Sequence, residues 1–236
     1  VVGRWDTDQT ATVYVFEYNS STNIWDQKGT KIQGVTDYST YGDYFGYSVG
    51  INYYGTRVIV GAPNDDNNGN QSGSVEIYDY NSNTNTWNKI GQTINGTTGD
   101  SGSTDTAAFF GSSVSINKNS DPSIDGTIIA VGAPQYRSQY NYRKGITQVY
   151  EYNGTDTWNL LANLENPNTD DQKNDYFGYS VAINGTGNIV VSGAPYKRSG
   201  TTSSDLDQGS MVVYKKNDSD SGWSQLGNEY FSGSTN

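Results

Sequence analysis

The stretch DYFGYSVGINYYGTRVIVGAP, Asp43 to Pro63, carries an FG pair near its start and a GAP triplet at its end. It returns nearly intact as DYFGYSVAINGTGNIVVSGAP, Asp175 to Pro195. A looser copy, AFFGSSVSINKNSDPSIDGTIIAVGAP, runs from Ala108 to Pro134. The Phe of each pair falls at 45, 110 and 177, so one unit spans about 65 residues. Self-similarity at a fixed period signals stacked units that cannot bury their apolar faces alone.

Two further markers follow each GAP. One is an alternating segment: VYVFEYN (13–19), VEIYDYN (75–81), TQVYEYN (147–153) and MVVYKKN (211–217). The other is a tryptophan: Trp25, Trp87, Trp158 and Trp223. Soon after each Trp comes an apolar or Gly pair: Lys28-Gly29, Ile90-Gly91, Leu160-Leu161 and Leu226-Gly227. In the second unit the pattern predicts strands over 45–52, 57–62, 74–80 and 86–94. The VIVGAP segment is apolar without alternation, as expected of a strand covered on both faces. The third segment alternates with bulky groups on both sides, which implies sheet stacked on sheet. The fourth ends in polar residues and reads as an outer edge.

Four antiparallel strands per unit, repeated radially, describe an all-β chain with the architecture of a β-propeller. The sequence reads as a single propeller region over 1–236, with blades at about 1–34 (partial), 43–98, 108–166 and 175–233. Residues 1–34 align with only the last three strands of a blade, so about 3.75 blades are expected. They form part of a larger propeller, or a compact four-bladed ring with one strand missing or donated. The constant glycines permit close backbone approach or a positive φ. The prolines end the second strand, because Pro cannot extend the ladder. FG and GAP are therefore expected to be structural, and the Trp and Tyr residues to pack between blades.

The order FG-x-S-V, VIVGAP, then GS-V-x-aromatic resembles the FG-GAP repeat of integrin α-chains and many microbial surface proteins. The resemblance covers nearly the whole chain and implies a seven-bladed ring acting at a cell surface. It also implies calcium, because many such blades carry a D-x-D-x-D-G-x-x-D loop between their first two strands. Ca²⁺ needs six to eight oxygens. The loops after Val49 and Val181 hold no carboxylate, so those sites look lost. The loop after Val114 places Asn117, Asn119, Asp121 and Asp125 at the matching positions. Pro122 replaces the turn Gly there, and a lengthened hairpin turn is the alternative to a calcium loop. The acidic stretches NDDNNGNQSG (64–73) and NTDDQKND (168–175) read as solvated loops, the first lacking the bidentate Glu of a calcium loop.

Composition narrows the function. Net charge is −11, from 14 basic and 25 acidic residues. That argues against nucleic acid, whose phosphates need a basic surface, and against anionic lipid. No apolar run approaches the ~18 residues of a membrane span, so no direct membrane insertion is expected. The chain has no Cys and no His, which removes thiolate and imidazole chemistry. Six sequons, at Asn19, Asn70, Asn95, Asn153, Asn184 and Asn217, are acceptors that an extracellular glycoprotein would use. In a sequence so rich in Asn, Ser and Thr, several also arise by chance. The chain opens VVGRW, without Met, and is expected to be processed or cut from a longer polypeptide.

The loop QYRSQYNYRKG (135–145) is the leading binding candidate. It combines Tyr136, Tyr140 and Tyr142 with Arg137 and Arg143, a composition typical of binding hot spots. The bland alternative is a loop that merely covers a blade edge. Catalysis is not expected, because no acidic residue sits in a distinctive motif. Glu17, Asp79 and Glu151 share one repeat position, which Lys215 fills in the last unit. The expectation is a non-catalytic module at a cell or particle surface, recognising protein or glycan. The alternatives are a building block that assembles with copies of itself, and a carbohydrate-active enzyme.

Overall fold

The computed structural model describes residues 1–4, 11–34, 42–97, 107–167, 174–197, 208–219 and 222–232. Every regular element among them is a strand. Unit 1 holds β1 (Val2–Arg4), β2 (Thr12–Tyr14), β3 (Phe16–Asn19), β4 (Ile24–Gln27) and β5 (Ile32–Gln33). Unit 2 holds β6 (Ser48–Ile51), β7 (Arg57–Ala62), β8 (Ser74–Asn81), β9 (Thr86–Lys89) and β10 (Ile94–Asn95). Unit 3 holds β11 (Ser113–Ile116), β12 (Ile128–Ala133), β13 (Ile146–Tyr152) and β14 (Trp158–Leu164). Unit 4 holds β15 (Ser180–Ile183), β16 (Ile189–Ala194), β17 (Ser210–Lys216), β18 (Trp223–Gln225) and β19 (Tyr230–Phe231).

Pairing between strands is antiparallel, and in unit 3 it runs in chain order, β11-β12-β13-β14, whereas in unit 1 β3 and β4 pair only with each other, apart from β1-β2-β5. Two expectations need correction. The first strand of unit 2 begins at Ser48, not Phe45, because the FG pair forms a turn. Its fourth segment is two strands: β9 pairs the end of β8 and β10 pairs its start. Lys89 turns outward between them to reach Glu76. In unit 3 the same segment stays continuous as β14, with a register shift at Val149/Tyr150.

The units stack with their first strands together. β6 packs directly on β11, and β11 on β15, while β1 touches β6. Among the described residues the outermost strands β4, β9, β14 and β18 make no comparable contact with one another. The sheets are therefore close at one edge and splayed at the other, the wedge arrangement of a propeller. Apolar residues fill the gaps between units: Val13, Val15, Ile32 and Phe45 in one, Val75, Ile77, Ile94 and Phe110 in the next. The third gap holds Val149, Leu164 and Phe177. Each Phe of an FG pair thus seats in the unit before its own.

The two motifs meet at these gaps. Tyr47 N donates to Tyr44 O, and Gly46 lies at φ +86°, so Phe45-Gly46 is the central pair of a turn whose third position demands Gly. Gly46 N donates to Gly61 O within the sheet, joining FG to GAP. Across the gap, a Cβ on Gly61 would lie 2.1 Å from Gly111 O, and one on Gly132 only 1.9 Å from Gly178 O. The GAP glycine is where the next unit's FG carbonyl passes.

Candidate functional site

The loops after β7, β12 and β16 leave equivalent strands, so all three emerge at the end of the sheets where the FG turns lie. The loop after β12 contains the Tyr–Arg candidate. Its backbone is braced: Ser138 N donates to Tyr142 O at 2.8 Å, and Gly145 N to Tyr136 O at 3.0 Å. Arg137 and Arg143 face each other in an antiparallel bridge. The Arg137 guanidinium turns inward to donate to Asn141 O and Oδ1. Tyr136 lies half-buried under the Lys144 ammonium, 5.6 Å from its ring centre. Arg143 is half-buried, with its backbone N on Asn174 Oδ1 and its guanidinium near Tyr176 Oη.

That leaves Tyr140 and Tyr142 at the tip, 55% and 38% exposed. Of the five residues picked from the sequence, two therefore present aromatic surface, and three hold the loop. Further exposed tyrosines share this end: Tyr47, Tyr179 and Tyr196. Tyr196 meets Tyr176 edge-on at 5.1 Å. The signal for them was available, since each lies within three residues of an FG or GAP motif.

The proposed calcium residues lie at the opposite end of the sheets, in the turn between β11 and β12. Asn117 is buried; its Nδ2 donates to Ile124 O and Gly185 O, and its Oδ1 accepts from Ile128 N. Asn119 Nδ2 donates to Gly185 O and its Oδ1 accepts from Asp121 N. Asp121 accepts from Ser123 N and Oγ, which hold its carboxyl below the usual range. Asp125 is buried and accepts four N–H groups: Asn52 Nδ2 at 2.7 Å, Tyr53 N, Tyr54 N and Asn119 N. Three of these come from unit 2, so Asp125 clamps units 2 and 3 together. Beside it lies a cleft of about 630 Å³ lined by Arg57, Asp79 and Tyr80. Arg57 forks onto Asp79 at 2.6 and 2.7 Å and lies over the Tyr152 ring.

The first acidic stretch is not simply solvated. Asp65 is buried and accepts from Asn67 N, Asn67 Nδ2 and Ser74 Oγ, folding the loop back onto β8. Of the second stretch, residues 168–173 lie outside the described residues. Asp175 is described: it forms a buried ion pair with Lys197 at 2.9 Å.

Most sequon asparagines do turn chemistry. Asn19, Asn153 and Asn217 share one repeat position after the third strand, where the side chain bonds around the hairpin. Asn184 does the same between β15 and β16, accepting from Asn188 N and Ile189 N. Asn70, Asn95 and Asn153 are exposed.

Among the described residues no group of three or more His, Cys, Asp or Glu side chains converges as a metal site. Among the described residues no helix is long and apolar enough to cross a membrane. The clearest perturbed carboxylate, Glu76, belongs to a structural cluster. Burial works to raise it, but hydrogen bonds from Lys89, Tyr78 and Thr93 outweigh that and hold it low. Burial, with the nearby Glu165 and Glu229 charges, pushes the Tyr214 phenol up to about 12.

Two stretches, residues 37–78 and 158–214, match the FG-GAP repeat, so the chain carries repeats of that type. No curated protein matches it. Among solved structures, a protein named as a 6-phosphogluconolactonase from Bacteroides uniformis shares the fold: TM-score 0.53 at 13% identity, covering 97% of this chain and 51% of that one. The periplasmic gluconolactonase of Pseudomonas aeruginosa aligns at TM-score 0.44 and 12% identity, covering 91% of this chain and 49% of that one. The chain thus spans about half the length of the solved structures it resembles.

Proposed function

We propose that this chain is a non-catalytic section of a β-propeller that recognises a protein or glycan at a cell or particle surface. The reading rests on the loop between β12 and β13, whose backbone is held by its own hydrogen bonds while Tyr140 and Tyr142 stand exposed at its tip. A rigid aromatic contact loses little entropy on binding, and Tyr offers a stacking face and a hydroxyl together. Sugar rings and peptide groups both suit such a surface. The acidic residues with resolved partners are spent on bracing: Asp79 on Arg57, Asp125 on the inter-unit clamp, Asp175 on Lys197. That supports recognition over turnover. The FG-GAP match supports the surface location.

The test is a glycan and protein array probed with the wild-type chain and with Tyr140→Ala/Tyr142→Ala. Saturable binding that falls at least about 10-fold in the double variant, with the far-UV spectrum unchanged, is the expected result. Binding that survives the double variant places the contact elsewhere. Hydrolysis of a lactone or glycoside, abolished by one carboxylate substitution, would overturn the non-catalytic reading.

A second reading, a building block in an assembly, draws on the outer faces of units 1 and 4. Trp25 is 67% exposed, whereas its equivalent Trp87 is 8% exposed and caps the preceding unit.

A further inference from the structure

The gap between units 2 and 3 and the gap between units 3 and 4 are closed by the same set of contacts. The Phe N–H donates to a carbonyl just before the third strand: Phe110 N to Ser72 O at 3.1 Å, and Phe177 N to Lys144 O at 3.0 Å. The following glycine meets the Phe in a parallel bridge, Gly73 with Phe110 and Gly145 with Phe177. A serine on the first strand donates to the next unit's FG carbonyl: Ser48 Oγ to Gly111 O at 2.6 Å, and Ser113 Oγ to Gly178 O at 2.8 Å. The GAP glycine leaves room for that carbonyl.

Unit 4 carries every one of these groups, and none of the described residues packs upon them as a neighbouring unit does in the other gaps. Gln208 stands where Ser72 and Lys144 do, Gly209 where Gly73 and Gly145 do, and Ser180 where Ser48 and Ser113 do. The three atoms nearest a Cβ on Gly193 all belong to Ser180 of its own unit, whereas Gly61 and Gly132 face a neighbour's backbone carbonyl. Met211 is 42% exposed although its equivalents Val75 and Thr147 are 0%. Tyr230, paired to Met211 as Ile94 is to Val75, is exposed too. Together these residues line a cleft of about 310 Å³ with mostly apolar walls.

We infer that this cleft is a docking socket for a Phe-Gly turn, a segment of the type aromatic-Phe-Gly-x-Ser presented by a further unit of the same repeat. The inference goes beyond the recognition loop and does not depend on it. The Phe ring would enter against Met211 and Tyr230. Its N–H would donate to Gln208 O, and the Gly carbonyl would pass Gly193 and accept from Ser180 Oγ. The occupant is not a second copy of this chain as described, because Phe45, Phe110 and Phe177 are all buried within their own gaps.

Met211 is the only methionine, so a ¹³C-methyl label reports on the socket alone. The probe is a synthetic peptide with the sequence of residues 43–51, added to the folded chain. Saturable movement of the Met211 methyl signal is expected, with half-saturation below about 1 mM. Peptides carrying Phe45→Ala or Gly46→Val should bind at least about 10-fold more weakly. Gly193→Ala in the protein should weaken binding similarly with little change in melting temperature, since its Cβ takes the incoming carbonyl's place and displaces only the rotatable Ser180 hydroxyl. No shift with the parent peptide at about 2 mM, or equal binding of the Phe45→Ala peptide, overturns the proposal. So does a dimer in sedimentation that Gly193→Ala dissolves and the peptide does not displace, which would assign the socket to a second copy.

Discussion

A glycine in this chain is costly or neutral to replace according to what passes its α-carbon. Gly132 has the Gly178 carbonyl 1.9 Å from where a Cβ would stand, and backbone cannot step aside. Gly132→Ala is expected to lose about 3 kcal/mol or more in urea unfolding, at the high end of overpacking. Glu76 supplies a second residue-scale expectation. Its carboxyl is held below its ordinary value by Lys89, Tyr78 and Thr93. A depressed carboxylate contributes stability that is present above the unfolded value and lost as pH falls through the folded one. Glu76→Gln should therefore be less stable at neutral pH and show a flatter loss of stability below about pH 4.5, measured by urea midpoints across pH.

At the scale of the strand, the outer edges lock through tryptophan. Trp87 Nε1 donates to Lys28 O at 2.9 Å, and its ring lies against Gly29 of the preceding unit. Trp158 lies against Gly91 in the same way, while Gln92 makes two hydrogen bonds to the Trp158 backbone. Trp87→Ala should cost about 3–5 kcal/mol, as for a buried aromatic. Trp25→Ala should stay within about 0.5 kcal/mol, because that ring caps no described neighbour. At the other end of the sheets, Asp125→Ala strands four donors and should cost about 1–3 kcal/mol. Because the Asn117–Asp125 turn is braced by protein donors, a chelator should leave the melting temperature unchanged. A rise on adding calcium would mean that the turn reopens to coordinate it.

Across the whole molecule, stability follows the neighbours each unit has. Units 2 and 3 are covered on both faces, and β7 and β12 are almost wholly buried. Units 1 and 4 leave Trp25, Met211 and Tyr230 in solvent. In a stack whose units contact only their neighbours, the ends open first. Hydrogen exchange should therefore be slowest in β7, β8, β12 and β13 and fastest in β1 to β5 and β18. Uniform protection from end to end would contradict the stacked arrangement.

The repeat was legible because its markers are tied to backbone chemistry. FG needs a positive φ at Gly46, and GAP needs an unobstructed α-carbon at Gly61. Local geometry of this kind leaves its residue types in the sequence at a fixed spacing, so strands, order and stacking could be read there. What the chain does with individual side chains could not. Arg137 and Tyr140 look alike as members of one aromatic–basic loop, yet one turns inward to Asn141 and the other stands in solvent. Asp65 and Asp125 read as solvated or calcium-binding, yet both are buried acceptors of protein N–H groups. Asp125 takes three of its four donors from unit 2, which only the packed gap brings near. Asp65 takes its donors from Asn67 and Ser74, which meet it only once the loop has folded back onto β8. Both outcomes depend on how the chain packs, which no single repeat spells out.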